Sequence, residues 1–191
     1  MKVFEKRIVY FDGPGGENTD HVLALAKKRA EELGIKDIVV ASTRGNTGVK
    51  ASEIFKGYNL VVVTHYTGFR EPGQQELTEK NRRRIEENGG KIFTGTHAFM
   101  GVERAIRNKF GTAYPAEIMA QTLRLFGEGM KVAVEIVAMA ADAGLIPVDK
   151  EVISIAGTGR GADTAIVVQP ANSSRIFDMV IKEIIAKPRS K

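Results

Sequence analysis

The run Leu60-Val61-Val62-Val63-Thr64 constrains the fold more than any other stretch of the chain. It is apolar on both faces, too short for a buried helix, and without the alternation of a half-solvated strand. Such a run predicts a strand covered on both sides, as in a parallel sheet flanked by helices. Asp37–Ala41 (Asp-Ile-Val-Val-Ala) predicts a similar strand before it, and Arg7–Phe11 (Arg-Ile-Val-Tyr-Phe) a first one.

Helical patterns fill the gaps. Asn18 or Thr19 caps a helix that runs to about Leu33, with Val22, Leu25, Ala26, Ala30 and Leu33 as its apolar stripe and Gly34 as its stop. A short helix begins within Ser42–Gly48 and ends near Phe55, with Ala51, Ile54 and Phe55 inward. After Thr64 come a polar and aromatic loop, His65–Gly73, and a charged outer helix from about Gln74 to Asn88, apolar at Leu77 and Ile85. Lys91–Gly95 predicts a fourth strand, and two or three helices follow. The last, roughly Gly129 to Ala143, is apolar around most of its circumference and therefore buried, which leaves Glu135 in need of a partner. Glu151–Ala156 and Thr164–Gln169 predict two strands joined by Gly157–Asp163, a link too short for a parallel crossover and hence an antiparallel hairpin. Phe177–Ile185 is read as a closing strand. The expected architecture is a single α/β domain over residues 1–191: a three-layer α/β/α sandwich whose mostly parallel central sheet carries one or more antiparallel strands at an edge.

Composition narrows the function classes. At 191 residues with 43% hydrophobic and 27% charged residues, the chain can bury a proper core. No apolar run approaches the roughly eighteen residues of a membrane span. The charged start Met1–Arg7 has no apolar core behind it and is not a signal peptide. Without cysteine there is no disulfide framework, thiolate metal site or cysteine nucleophile, and the expected location is cytoplasmic. A net charge of +5 favours anionic ligands. Nucleic acid is disfavoured, because Arg82-Arg83-Arg84 and the tail Lys187–Lys191 read as solvated surface and the chain has no tryptophan and 7% aromatic residues.

The glycine- and threonine-rich loops carry the chemistry. Asp12–Thr19, Ser42–Gly48, His65–Gly73, Gly95–Gly101 and Gly157–Asp163 all leave the carboxyl ends of predicted strands, the edge where open α/β sheets bind ligands. Ser42-Thr43-Arg44-Gly45-Asn46-Thr47-Gly48 joins a strand to a helix, so unpaired amides at a helix N-terminus, hydroxyls and a guanidinium would meet an anion there. Gly45 and Gly48 would let the backbone come close to a ligand. The plainer reading is an ordinary turn whose Asn46 or Thr47 is the helix cap. Gly157-Thr158-Gly159-Arg160-Gly161 has the composition of a second anion nest, or of a flexible hairpin turn. His21, His65 and His97 lack ligand spacing, so no metal is expected, and Asp12 and Asp163 read as turn-forming carboxylates. No G-x-S-x-G elbow occurs, sequence spacing supports no triad, and no catalytic residue is assigned.

Ile38–Gly48 resembles the strand and phosphate loop of the C-terminal α/β domain of pyruvate kinase, and Ile153–Val168 is similar to that domain's closing Gly-rich loop and last strand. Through Met130–Glu135 and Met139–Gly144 as well, nearly the whole chain looks like a family of stand-alone, mostly archaeal proteins described as pyruvate kinase α/β-domain-like. The resemblance implies a five-strand core with one antiparallel member and an anion-binding role for Ser42–Thr47. Kinase activity does not carry over, because pyruvate kinase chemistry lives in a barrel that has no counterpart in this sequence. The family is associated with flavin mononucleotide (FMN). Its phosphate would sit on Ser42, Thr43, Arg44, Gly45, Asn46 and Thr47, and its ring near His65, Thr67, Phe69 and Gly157, Thr158, Gly159 and Arg160. The expected partner is thus a phosphorylated small molecule, with flavin redox activity as the natural enzyme class. The alternative is a non-catalytic sensor of a phosphorylated metabolite. Self-association is left open, and no membrane partner is expected.

Overall fold

The computed structural model describes Val3 and residues 5–190; Met1, Lys2 and Phe4 of the charged start and Lys191 of the basic tail lie outside them. Strands β1 (Val9–Phe11), β2 (Asp37–Ala41), β3 (Asn59–Thr64), β4 (Lys91–Thr94), β5 (Val152–Ala156), β6 (Thr164–Gln169) and β7 (Val180–Pro188) form one sheet in the order β1-β7-β6-β5-β2-β3-β4. All neighbours pair in parallel except β6, which runs antiparallel to both β5 and β7. The expected hairpin is present, with Val152 opposite Val168 and Ala156 opposite Thr164.

Helices cover both faces because the central strands are apolar on both. Ile38 and Val40 of β2, Leu60 and Val62 of β3 and Ile153 and Ile155 of β5 pack against α1 (Thr19–Leu33), α2 (Asn46–Ile54) and α3 (Glu79–Glu87). The alternate residues Val39, Val61, Val63 and Val152 meet α5 (Pro115–Leu123) and α6 (Glu128–Asp142). A shorter-buried helix, α4 (Gly101–Phe110), is held to α5 by Arg107–Glu117 and by the Ala116 amide donating to Glu103 at 3.2 Å. This is the three-layer α/β sandwich with a mostly parallel sheet.

Several boundaries differ from the sequence expectation, each for a local reason. β1 starts at Val9 rather than Arg7. The charged helix starts at Glu79 rather than Gln74, because Thr78 caps it by accepting from the Asn81 amide at 3.3 Å and Gln75 holds the preceding link by accepting from the Leu77 amide at 2.9 Å. Neither Asn18 nor Thr19 caps α1 with its side chain; Asn18 donates to the Gly13 carbonyl and Thr19 to that of Gly16. Leu23 is buried and Leu33 exposed, since Thr19, Val22, Leu23, Ala26 and Ala30 make the stripe that meets the sheet. The closing strand is displaced to 180–188; Phe177, 86% exposed, belongs to a 3₁₀ turn over Ser173–Asp178.

Candidate functional site at the carboxyl edge of the sheet

Because β1 to β5 are mutually parallel, the five loops expected at carboxyl ends do leave one edge of the sheet. The strand order places Ser42–Gly48 between Gly157–Asp163 on one side and His65–Gly73 on the other.

Ser42–Gly48 is an open loop. Ser42 donates its amide to the Val63 carbonyl at 2.9 Å, and its buried Oγ accepts from the Gly48 amide at 3.0 Å; Gly45, not Asn46 or Thr47, is the N-cap of α2. The first helical bond runs from the Val49 amide to the Gly45 carbonyl. Among the described residues, the amides of Thr43, Arg44, Gly45, Asn46 and Thr47 donate to no protein acceptor. Five successive free amides, at the positive end of a helix, are what a bound anion satisfies. Arg44 and Asn46 are exposed and Thr47 is buried. Asn81 of α3 fixes the backbone shape, donating to the Arg44 carbonyl at 2.9 Å and to Asn46 Oδ1 at 2.8 Å.

The two glycines also answer a packing need within the protein. A Cβ on Gly45, whose φ is 93°, would lie 2.5 Å from Asn81 Cβ and 2.7 Å from Leu77 Cδ1. One on Gly48 would lie 2.8 Å from Val62 Cγ1 and 2.9 Å from Ile85 Cδ1. Both make room for the protein's own side chains on α3 and β3.

Gly157–Asp163 is the more closed of the two neighbouring loops. The amides of Thr158, Arg160, Ala162 and Asp163 all have internal acceptors. Asp163, fully buried, accepts from the Thr158 amide at 3.0 Å, from the Gly15 amide at 3.2 Å and from the Thr164 hydroxyl at 2.8 Å. Its carboxylate therefore joins this loop to Asp12–Thr19, more than a turn-forming role. Gly157 and Thr158 are half-buried; Gly159 and Arg160 are exposed, and Arg160 makes no ion pair among the described residues.

On the other side, His65 is locked in place. Its Nδ1 lies 2.7 Å from Glu76 Oε2, its Nε2 3.2 Å from Thr43 Oγ1, and its carbonyl accepts from Gln75 at 3.0 Å. Phe69 stacks on the His65 ring at 3.9 Å and also carries the Arg104 guanidinium at 4.5 Å. Thr67 is exposed, and its hydroxyl accepts from Gln75 at 3.5 Å. His97 touches His65, Tyr66 and Phe69 with ring centroids at 5.4, 5.1 and 5.3 Å. It is 8% exposed, and burial pushes its pKa down to about 4, against a smaller opposing pull from Glu135. Its Nδ1 and Arg104 Nη1 are buried without a hydrogen-bond partner among the described residues. Behind this cluster, Lys131 and Glu135 pair inside α6, and Glu135 Oε1 accepts from the Phe99 amide at 2.9 Å.

The structure thus joins Thr43 to His65 and Phe69, and places Gly157–Arg160 on the neighbouring strand end without a side-chain bond to Ser42–Thr47. Sequence reasoning missed Glu76, Asn81 and Arg104 as parts of this edge, because none sits at a motif spacing from its partner; Glu76 lies on a link that the sequence reads as helix.

The family of pyruvate kinase, alpha/beta domain, matches residues 20–168. The chain belongs to that family. The matched residues run from α1 through β6 and hold β2 to β6, a five-strand unit with one antiparallel member at its edge, as the resemblance implied. β1 and β7 extend the sheet beyond that edge. Among the described residues no helix is long and apolar enough to cross a membrane.

Proposed function

We propose that this chain binds a phosphorylated cofactor, FMN foremost, at the carboxyl edge of its sheet. The supporting observation is the run of free amides from Thr43 to Thr47 beside the Arg44 side chain, which makes no ion pair among the described residues, where the neighbouring loop has most of its amides taken. A phosphate monoester offers acceptor oxygens in number and charge to suit them. Walls flank that loop on both sides: Gly157-Thr158-Gly159-Arg160 along β5, and His65, Thr67 and Phe69 along β3. The ring of an FMN would lie against one of them. Bound flavin would supply hydride and electron chemistry, while these residues supply position and field.

The experiment is a flavin titration of the purified protein followed by absorbance and fluorescence. FMN binds and riboflavin, which lacks the phosphate, binds at least about tenfold more weakly, the loss of one charge-assisted contact. Arg44→Ala with Thr47→Ala abolishes FMN binding without changing the circular dichroism spectrum. Equal binding of FMN and riboflavin, or none of FMN, overturns the proposal. The free amides recognise phosphate whatever carries it, which favours one second reading, a sensor of a phosphorylated metabolite. Thermal stabilisation by sugar phosphates but not by FMN selects the sensor.

A further inference from the structure

Thr43, His65 and Glu76 form a continuous chain that phosphate binding does not require. Glu76 is 14% exposed at its side chain, and Arg70 Nε, 3.2 Å from Oε1, holds its second oxygen. An ionised carboxylate only accepts, so the proton between Glu76 and His65 belongs to His65 Nδ1. In the neutral ring that leaves the Nε2 lone pair facing Thr43 Oγ1 at 3.2 Å, and the hydroxyl donates to it. Phe69 against the ring face and Gln75 on the backbone carbonyl prevent the imidazole from turning away. Hydroxyl, base and orienting carboxylate therefore stand in the order that nucleophilic catalysis needs. The amides of residues 44–47, which follow Thr43 directly, are free to receive a developing oxyanion.

We propose that Thr43 is a catalytic nucleophile for acyl transfer from carboxylic esters, with His65 as general base and Glu76 as the positioning residue. Thr43 Oγ1 adds to the ester carbonyl carbon as its proton passes to His65 Nε2. The carbonyl electron pair moves onto oxygen, facing the loop amides. Collapse of the adduct breaks the ester C–O bond, and the leaving alkoxide takes the proton from Nε2. Water then repeats the sequence on the acyl-threonine, releasing the acid and restoring the hydroxyl. Thr43 lacks the positive φ of a strained nucleophile elbow, so the device works by the hydrogen-bond chain rather than by backbone strain.

The test uses an alkyl fluorophosphonate, which bonds to an activated hydroxyl oxygen with loss of fluoride, followed by peptide mass mapping. One adduct forms, on Thr43, and none in Thr43→Val; Thr43→Ser keeps it. His65→Gln slows labelling at least about a hundredfold, the size of a lost general base. Glu76→Gln is the decisive variant: its amide donates to Nδ1, forces the proton onto Nε2 and removes the lone pair that Thr43 needs. Labelling then falls by at least about tenfold while the thermal midpoint stays put, an outcome that a purely structural Glu76 does not give. Absence of an adduct on Thr43, under conditions that label a serine esterase, overturns the proposal. So does labelling of both His65→Gln and Glu76→Gln at the wild-type rate. FMN added beforehand separates this inference from the binding proposal, on which it does not depend: labelling unaffected by saturating FMN counts against the phosphate site and leaves the nucleophile standing.

Discussion

Lys131→Met is expected to destabilise the fold strongly. Lys131 and Glu135 lie one turn apart on α6, each 3% exposed at the side chain, in the core between the sheet and α5. Lysine precedes glutamate here, the less favourable order for the helix dipole, so the pair is not there to support α6. Its use is the second oxygen of Glu135, which accepts from the Phe99 amide and so anchors the loop that carries His97. Removing Lys131 leaves a buried carboxylate with one neutral donor. Breaking such a pair costs about 3–5 kcal/mol, because the remaining charge stays desolvated. For a chain of this size that is a drop of about 6–20 °C in Tm. Urea unfolding at pH 7 reads it as a lower midpoint with an unchanged slope. Lys131→Met with Glu135→Met removes both charges and retains only the cost of the orphaned Phe99 amide, about 1–3 kcal/mol. The double variant is therefore more stable than the Lys131→Met single. A single-variant loss under about 1 kcal/mol, or a double variant that equals the sum of the singles, refutes the coupling.

Acid weakens the protein earlier than its carboxylates require. His97 has its pKa pushed down to about 4 by burial, below the ordinary value near 6.5 of the unfolded chain, so the unfolded state binds the extra proton as pH falls between those values. The stability present at pH 7 is lost through that window, by about 3 kcal/mol at pH 4, and His97→Asn flattens this part of a urea-unfolding series; a flat wild-type curve from pH 6.5 to 4.5 shows that His97 is not held neutral. Gly45→Ala destabilises by about 2–4 kcal/mol, combining a left-handed φ with overpacking, whereas Gly34→Ala, with φ 68° and open space around it, costs about 1 kcal/mol. Equal Tm losses for the two show that Asn81 and Leu77 give way freely.

The layers were legible in the sequence because their signal is local. Leu60–Thr64 is apolar on both faces for a reason that five residues express, and the link Gly157–Asp163 is too short for anything but a hairpin. The site was legible only as a set of loops. Gly45 and Gly48 show why: a glycine in a loop announces that a Cβ is excluded but not by what, and here the excluding atoms are Asn81, Leu77, Val62 and Ile85. The link from His65 to Glu76 was hidden for the opposite reason. Gln74–Thr78 has the polar composition of the helix it precedes, and bonds from Gln75 and Glu76 to His65, with a local bond from the Leu77 amide to Gln75, hold it out of the helix. Glu135 was flagged by its apolar surroundings, and its partner, Lys131, stood one turn away.

The strands outside the family match alter what the site can be. β6 closes the matched unit with one side free to pair, and buried strands such as Thr164–Gln169 do not tolerate an open edge in water. β7 covers that edge, held to α1 by Arg29, which donates two hydrogen bonds to Glu183 at 2.8 and 2.6 Å. β1 then ends the sheet with three residues, a strand too short to recruit another. Because β1 is parallel to β5, its exit loop Asp12–Thr19 arrives at the same edge as the free amides. There Gly16 backs onto Arg160, with Gly161 so close that a Cβ would fall 2.4 Å from Gly16 Cα, and the buried Asp163 carboxylate ties the two loops together. The Gly-rich loop, already closed by its own bonds to Asp163, Thr158 and Ala156, gains further anchors from Gly15 and Thr19, which lie outside the match. Of the two neighbouring loops, Thr43–Thr47 has the longer run of amides without a protein acceptor among the described residues, and on that run the proposed phosphate site rests.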